Sequence, residues 1–175
     1  MRLNAPRSSE LLLNAAVCPL RLIVEITEHC VVADYEQLRR SRSELRKHGI
    51  RLSIDDAGAG YASFRHIVTL QPDLIKLDRA IVTGLDHDQP RRALVKLMVG
   101  YARECGARTV AEGVETAAEL AAVHALGVDQ IQGYWTGAPT TDQEQWRRWA
   151  TMQIPLQSLP AQLTGRGRLG GIDAA

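Results

Sequence analysis

The sequence predicts an α/β protein assembled from parallel β/α units. Three observations lead there. Short runs rich in Leu, Ile and Val recur along the 175 residues, bounded by polar residues or glycine. Stretches with helix-type starts and stops separate these runs. Strand and helix signals therefore alternate at the rhythm of a parallel sheet.

The predicted strands, in order, are Leu22–Ile26, Leu52–Asp55, Leu74–Asp78, Thr109–Glu112 and Gln130–Tyr134. Each is short, as buried parallel strands are. Asp34 caps a helix running to about His48, where Gly49 stops it. A shorter helix covers Tyr61 to Leu70 and ends before Gln71-Pro72. Asp88 caps a third, with Pro90 in its first turn and Gly106 after its last. Thr116 with Glu119 three residues on forms a capping box, and Gly127 ends that helix. Thr141 with Glu144 reads as another, opening a helix through Trp146 and Trp149. Residues 1–20 form an N-terminal segment that is hard to place; Ser8-Ser9-Glu10 before Leu11-Leu12-Leu13 suits a short helix. Residues 151–175, with Pro155, Pro160 and a glycine-arginine run, suggest a flexible tail.

Marker residues Glu25, Asp55, Lys76, Glu112 and Gln132 stand 30, 21, 36 and 20 positions apart, each interval suiting one β/α unit. About five units follow from this. A closed eight-unit barrel takes about 250 residues, so the chain is short for one.

Composition narrows the function classes. With 45% apolar and 23% charged residues the chain can form an ordinary core. A net charge of +1 gives no reason to expect DNA or an anionic membrane as partner. No apolar run approaches the ~20 residues of a membrane span, and Met1–Arg7 lacks the core of a signal peptide. Cys18, Cys30 and Cys105 are an odd number without paired spacing. A reduced, cytoplasmic setting is expected, with all three as small buried hydrophobes.

The chemistry is expected at the strand ends, where parallel β/α folds place their ligands. Those ends read Glu25-Ile26-Thr27-Glu28, Asp55-Asp56, Lys76-Leu77-Asp78, Glu112-Gly113-Val114-Glu115 and Gln132-Gly133. Adjacent carboxylates such as Asp55 and Asp56 repel by roughly 4 kcal/mol at ~4 Å and an effective dielectric of about 20. A bound cation is the usual compensation. Oxygen ligands without histidine or cysteine suit Mg²⁺ or Mn²⁺ rather than zinc. Paired ions of this kind act on phosphate esters. Gly58-Ala59-Gly60 is too sparse for a phosphate loop. Glu28 and Asp78 fit two readings, a site role or a cap and ion pair with a neighbouring Arg. Lysine is unusual on a buried run, which singles out Lys76. His29, His48, His66, His87 and His124 share no face and read as structural or solvated.

These motifs together carry a resemblance. Leu22–Glu28, Asp55–Ser63, Asp73–Arg79, Val110–Glu115 and Ile131–Pro139 resemble, in order and spacing, the EAL domain of bacterial cyclic di-GMP phosphodiesterases, over roughly residues 10–150. The resemblance implies a modified TIM barrel, of which residues 21–150 would be the C-terminal part, about five of eight units without the first three strands. It implies that Glu25 and Asp55 hold one metal, with Asp55 bridging to a second held by Asp56. Glu112 would sit at the second metal and position or deprotonate the attacking water. Lys76 would orient that water or steady charge on the phosphate. Glu28 would fix the loop after Asp56, and Gln132 and Glu115 would line or support the substrate site. The reaction would open cyclic di-GMP to linear pGpG with Mg²⁺ or Mn²⁺.

The family's Glu-Ala-Leu glutamate and a ligand Asn would both precede Met1. Ala57 and Ala59 replace its usual Phe and Thr. The 175 residues alone are therefore expected to hydrolyse little. The alternatives are a non-catalytic cyclic di-GMP-binding or protein-interaction module, with a possible homodimer, and a fragment of a longer signalling protein.

Overall fold

The computed structural model describes residues 20, 22–27, 30, 32–58, 61–137 and 140–151. Among them run β1 (Ile23–Thr27), α1 (Tyr35–Lys47), β2 (Arg51–Ala57), α2 (Tyr61–Leu70), β3 (Leu74–Leu77), α3 (Arg79–Val82), α4 (Gln89–Cys105), β4 (Arg108–Glu112), α5 (Ala117–Ala125), β5 (Gln130–Gln132) and α6 (Gln143–Thr151). The five strands form one sheet in sequence order, every neighbouring pair parallel. The expected N-terminal segment lies, Leu20 apart, outside the described residues, as does the expected tail beyond Thr151.

The helix ends follow the sequence signals closely. The Asp34 carboxylate accepts from the Gln37 amide, and Gly49 turns the chain at φ +78°. Asp88 accepts from Arg91, and Gly106 closes α4 in the left-handed region. Both halves of the Thr116–Glu119 capping box are made. The last helix starts one residue later than expected. Asp142, not Thr141, supplies the oxygen that accepts from Glu144, while the Thr140 hydroxyl accepts from the Asp142 amide.

The strands depart more. Predicted Leu52–Asp55 extends through Asp56 to Ala57. Predicted Leu74–Asp78 stops at Leu77, because Asp78 turns to cap the unpredicted four-residue α3 through the Ala80 amide. The fifth strand ends at Gln132, because Gly133 and Tyr134 enter a turn that carries Trp135 N–H to the Val114 carbonyl.

One face of the sheet carries Ile26, Ile54, Ile75, Leu77 and Ala111. They pack with Ile67, Leu70, Val95, Met98, Val99, Ala102, Leu120 and Val123 of the helices into the main core. His66 is buried there, and its Nδ1 meets the Tyr35 hydroxyl at 2.9 Å, a structural role. His48, His87 and His124 are exposed, and His29 lies outside the described residues.

Contrary to expectation, Cys30 and Cys105 are exposed. Cys30 belongs to a turn after β1, its amide bonded to Thr27. Cys105 is the last residue of α4, next to an exposed Gly106. Cys18 lies outside the described residues. No helix among the described residues is long and apolar enough to cross a membrane.

Candidate metal centre

Strand register decides which strand-end residues meet. Paired residues of adjacent parallel strands point to the same face, and side chains alternate along each strand. Glu25 pairs with Ser53, Ser53 with Leu74, Lys76 with Val110, and Glu112 with Gln132. Counting by twos puts Glu25, Asp55, Lys76, Glu112 and Gln132 on the one face opposite the helix-covered core.

Asp56, next to Asp55, would point the other way in a regular strand. The register prevents this. Ile54 pairs with Ile75 and Ala57 with Leu77, so three steps on β2 match two on β3. That is a β-bulge, and Asp56 takes φ +56° within it. The bulge turns Asp56 back, so that oxygens of Asp55, Asp56 and Glu112 all lie within 4.8 Å of one another.

Lys76 stands among the acids. Its Nζ is 2.8 Å from Glu112, 2.9 Å from Asp55 and 3.2 Å from Glu25. Its side chain is 12% exposed, so the three contacts are mostly sheltered from water. Burial works against the ammonium charge, but the hydrogen bonds to Asp55, Glu112 and Glu25 outweigh it and hold the Lys76 pKa above its ordinary value. Glu112 moves the other way from a simple ion pair. Burial pushes its carboxyl up, the Asp55 and Asp56 charges add to that, and Lys76 only partly offsets them.

Among the described residues, Glu25, Asp55, Asp56 and Glu112 against Lys76 sum to a formal charge of −3 at this end of the sheet. Three clustered, half-buried carboxylates with an excess of negative charge form a hard-oxygen donor set of the kind Mg²⁺ and Mn²⁺ take. Glu25 is not within that trio. It is more exposed, 44%, and is linked to the trio through Lys76.

The remaining expected residues are spread around this cluster. Gln132 neighbours Glu112 on β5, and its carbonyl accepts from Val114 N–H at 3.3 Å. Glu115 is not in the trio and meets Arg79 at 2.9 Å. Asp78 caps α3. Glu28 lies outside the described residues. Two contributors were not singled out from sequence. The bulge at Asp56 depends on pairing with a strand some twenty residues on, and no local signal marks it. Arg79 had a faint one, a basic residue three positions after Lys76.

Fold and site together define a class: a parallel β/α protein of TIM-barrel type whose C-terminal strand ends carry an acidic cluster, a candidate cation site. The chain belongs to the EAL domain family, whose model matches residues 4–139. It is 34% identical over 128 residues to the bifunctional diguanylate cyclase/cyclic di-GMP phosphodiesterase MucR of Pseudomonas aeruginosa, covering 73% of this chain and 19% of that protein. The chain spans about a fifth of the length of the first curated relatives it matches. Among solved structures it superposes on the EAL domain of Mycobacterium smegmatis DcpA with a TM-score of 0.77 at 27% identity, covering 86% of this chain and 68% of that one. It also superposes on Klebsiella pneumoniae BlrP1 in a manganese/cyclic di-GMP complex, with a TM-score of 0.66 at 33% identity, covering 74% and 33%.

Proposed function

We propose that this chain takes cyclic di-GMP at the C-terminal ends of its strands and carries the machinery for metal-dependent opening to linear pGpG. The observation that carries the reading is the bulged Asp55–Asp56 pair, brought within 4.8 Å of Glu112 across the intervening β3. In this reading Asp55, Asp56 and Glu112 hold Mg²⁺ or Mn²⁺, with Glu25 completing the set on the β1 side. Such an ion activates water and stabilises charge on the phosphate oxygens.

The chain's own residues do the rest. The Glu112 carboxylate, at the edge of the cluster, would accept a proton from the attacking water. The water oxygen bonds to phosphorus and the P–O3′ bond breaks; the 3′ oxygen takes its proton from solvent water, and Glu112 returns its proton to solvent. Lys76, held cationic by three acids, sits 2.8 Å from Glu112 to steady the phosphate charge. Gln132 lines the substrate side beside Glu112, and Glu115 and Glu28 support the surrounding loops.

Asn4 and Asn14 are outside the described residues, so the described part of the site offers carboxylates and no asparagine. The proposal extends to a cytoplasmic setting and to a homodimer, for which Phe64 and Val68, exposed at i and i+4 on α2, offer an apolar contact.

A second reading, binding without catalysis, has its own support. Lys76 already bridges Glu25, Asp55 and Glu112, and so neutralises part of the cluster without any ion. One experiment separates the two. The purified chain is incubated with cyclic di-GMP and Mn²⁺, and pGpG is followed chromatographically while binding is measured by calorimetry. Slow Mn²⁺-dependent pGpG release, abolished in Glu112→Gln, supports the enzyme. Binding without product supports the second reading. Absence of both refutes the proposal.

A further inference from the structure

The geometry points to Arg79 as a positioning residue for Glu112, acting through Gly113 and Glu115. This rests on the reading that Asp55, Asp56 and Glu112 hold a metal ion. Arg79 opens α3, directly after the capping residue Asp78 and three residues beyond Lys76. Asp78 is itself fixed twice: its amide donates to the Ala57 carbonyl at 3.1 Å, and its carboxylate accepts from Ala80. The base of Arg79 is therefore tied to the end of the bulged strand.

From there the side chain crosses to β4. Gly113 follows Glu112 at φ +69°. A Cβ built on Gly113 would fall 2.9 Å from Arg79 Cβ and Cδ, and closer still to Cγ, so the Arg79 stem lies flat on the Gly113 backbone. Beyond that contact the guanidinium reaches Glu115 Oε1 at 2.9 Å.

The far side of the same short segment is also held. Val114 N–H donates to the Gln132 carbonyl, the Val114 carbonyl accepts from Trp135 N–H, and Glu115 N–H donates to Glu119. Residues 113–115 are thus anchored to β5 and α5, and Arg79 supplies the tie to β3 and, through Asp78, to β2. Since Glu112 is the β4 member of the cation cluster and Asp55 and Asp56 the β2 members, Arg79 sets the gap between the two halves. An exposed ion pair alone would contribute little. Here the pair with Glu115 is what keeps the Arg79 stem seated on Gly113, so losing the pair frees the stem as well, and outer residues that orient ligands typically change metal affinity 10–100-fold.

The test compares the parent chain with Arg79→Met, Arg79→Lys and Glu115→Gln. Mn²⁺ affinity is read by electron paramagnetic resonance, and amide exchange of Gly113, Val114 and Glu115 is read without metal. Arg79→Met and Glu115→Gln are expected to weaken Mn²⁺ binding about tenfold and to speed exchange at those three amides alone. Arg79→Lys, which keeps stem and charge, is expected to recover most of the affinity. Mn²⁺ affinity within twofold of the parent, or exchange accelerated across the whole sheet, would overturn the inference. A parent chain that binds no Mn²⁺ would remove the metal reading and this inference with it. A parent that binds Mn²⁺ equally with and without Arg79 would overturn the inference alone.

Discussion

Asp56 is held at φ +56°, a region that a side chain other than Asn, Asp or Gly enters at a cost of about 1–2 kcal/mol. Its identity therefore answers two demands, backbone and carboxylate, and substitutions separate them. Asp56→Asn keeps the tolerance for the left-handed region and removes one repelling charge, so its metal-free melting temperature is expected to match or exceed the parent's, with Mn²⁺ affinity at least tenfold weaker. Asp56→Ala is expected to lose about 1 kcal/mol as well as the metal. Equal destabilisation of both variants in thermal melts would show that the bulge is not what constrains this residue. Glu112 gives a pH signature. Burial and the neighbouring acids raise its folded pKa above the unfolded value of about 4.3. The fold thus favours the protonated form, and that contribution is full below about pH 4 and disappears as pH rises through the folded value. Glu112→Gln is expected to be more stable than the parent at pH 7 without metal, and no more stable than the parent below pH 4. Parallel stability curves across that range would contradict the assignment. The residue types at the site were readable from sequence because strand-end acids beside a lysine are rare without a purpose. Their grouping was legible only through the family resemblance, since no local signal shows that Asp56 joins the cluster through the bulge.

At the scale of elements, caps were legible and strand ends were not, for a physical reason. A cap is satisfied within four residues, so Asp34, Asp88 and Thr116 announce their helices locally. The end of a parallel strand depends on a partner far away in sequence. β2 continues through Ala57 because Leu77 pairs there, and β3 stops at Leu77 because Asp78 turns to cap a four-residue helix too short to show periodicity. Glu119 joins the two kinds of information. Its capping role was visible, but its carboxylate also accepts from the Gly84 amide in the loop between α3 and α4, and from Glu115 beyond β4. Burial works to raise its pKa, yet the backbone donors at Glu115, Gly84 and Thr116 prevail and hold it below the ordinary range. A depressed folded value means stability present above the unfolded value of about 4.3 and lost as pH falls through the folded one. Glu119→Gln is expected to lose about 1–3 kcal/mol at neutral pH, for a buried cluster of amides left partly unpaired. It is also expected to show a flatter acid limb in urea melts at pH 3–7. An acid limb identical to the parent's would place that proton uptake elsewhere.

Across the whole molecule, the fold class followed from alternation and the site from the strand ends, yet the two are coupled in a way only the register reveals. β3 lies between the strands that bear the acids, and it contributes Lys76 at the point where the acids of β2 and β4 would otherwise repel across it. Among the described residues these four acids and Lys76 sum to a formal charge of −3 at one end of the sheet, and Lys76 bridges three of the acids. A divalent ion bound to Asp55, Asp56 and Glu112 would join two non-adjacent strands and remove that repulsion, so it should stabilise the chain as a unit. At a concentration a hundred times its dissociation constant, a ligand bound only by the folded state adds about 2.7 kcal/mol. For a chain of this size, each kcal/mol moves the melting temperature by roughly 2–4 °C, so Mn²⁺ is expected to raise it by about 5–10 °C. Asp55→Asn and Glu112→Gln should abolish the shift. Calorimetric scans at increasing Mn²⁺ decide the matter. A melting temperature that does not move in the parent would mean that the ion pairs already in place, those of Lys76 among them, balance these acids and that the cluster is a closed ionic network rather than a metal site.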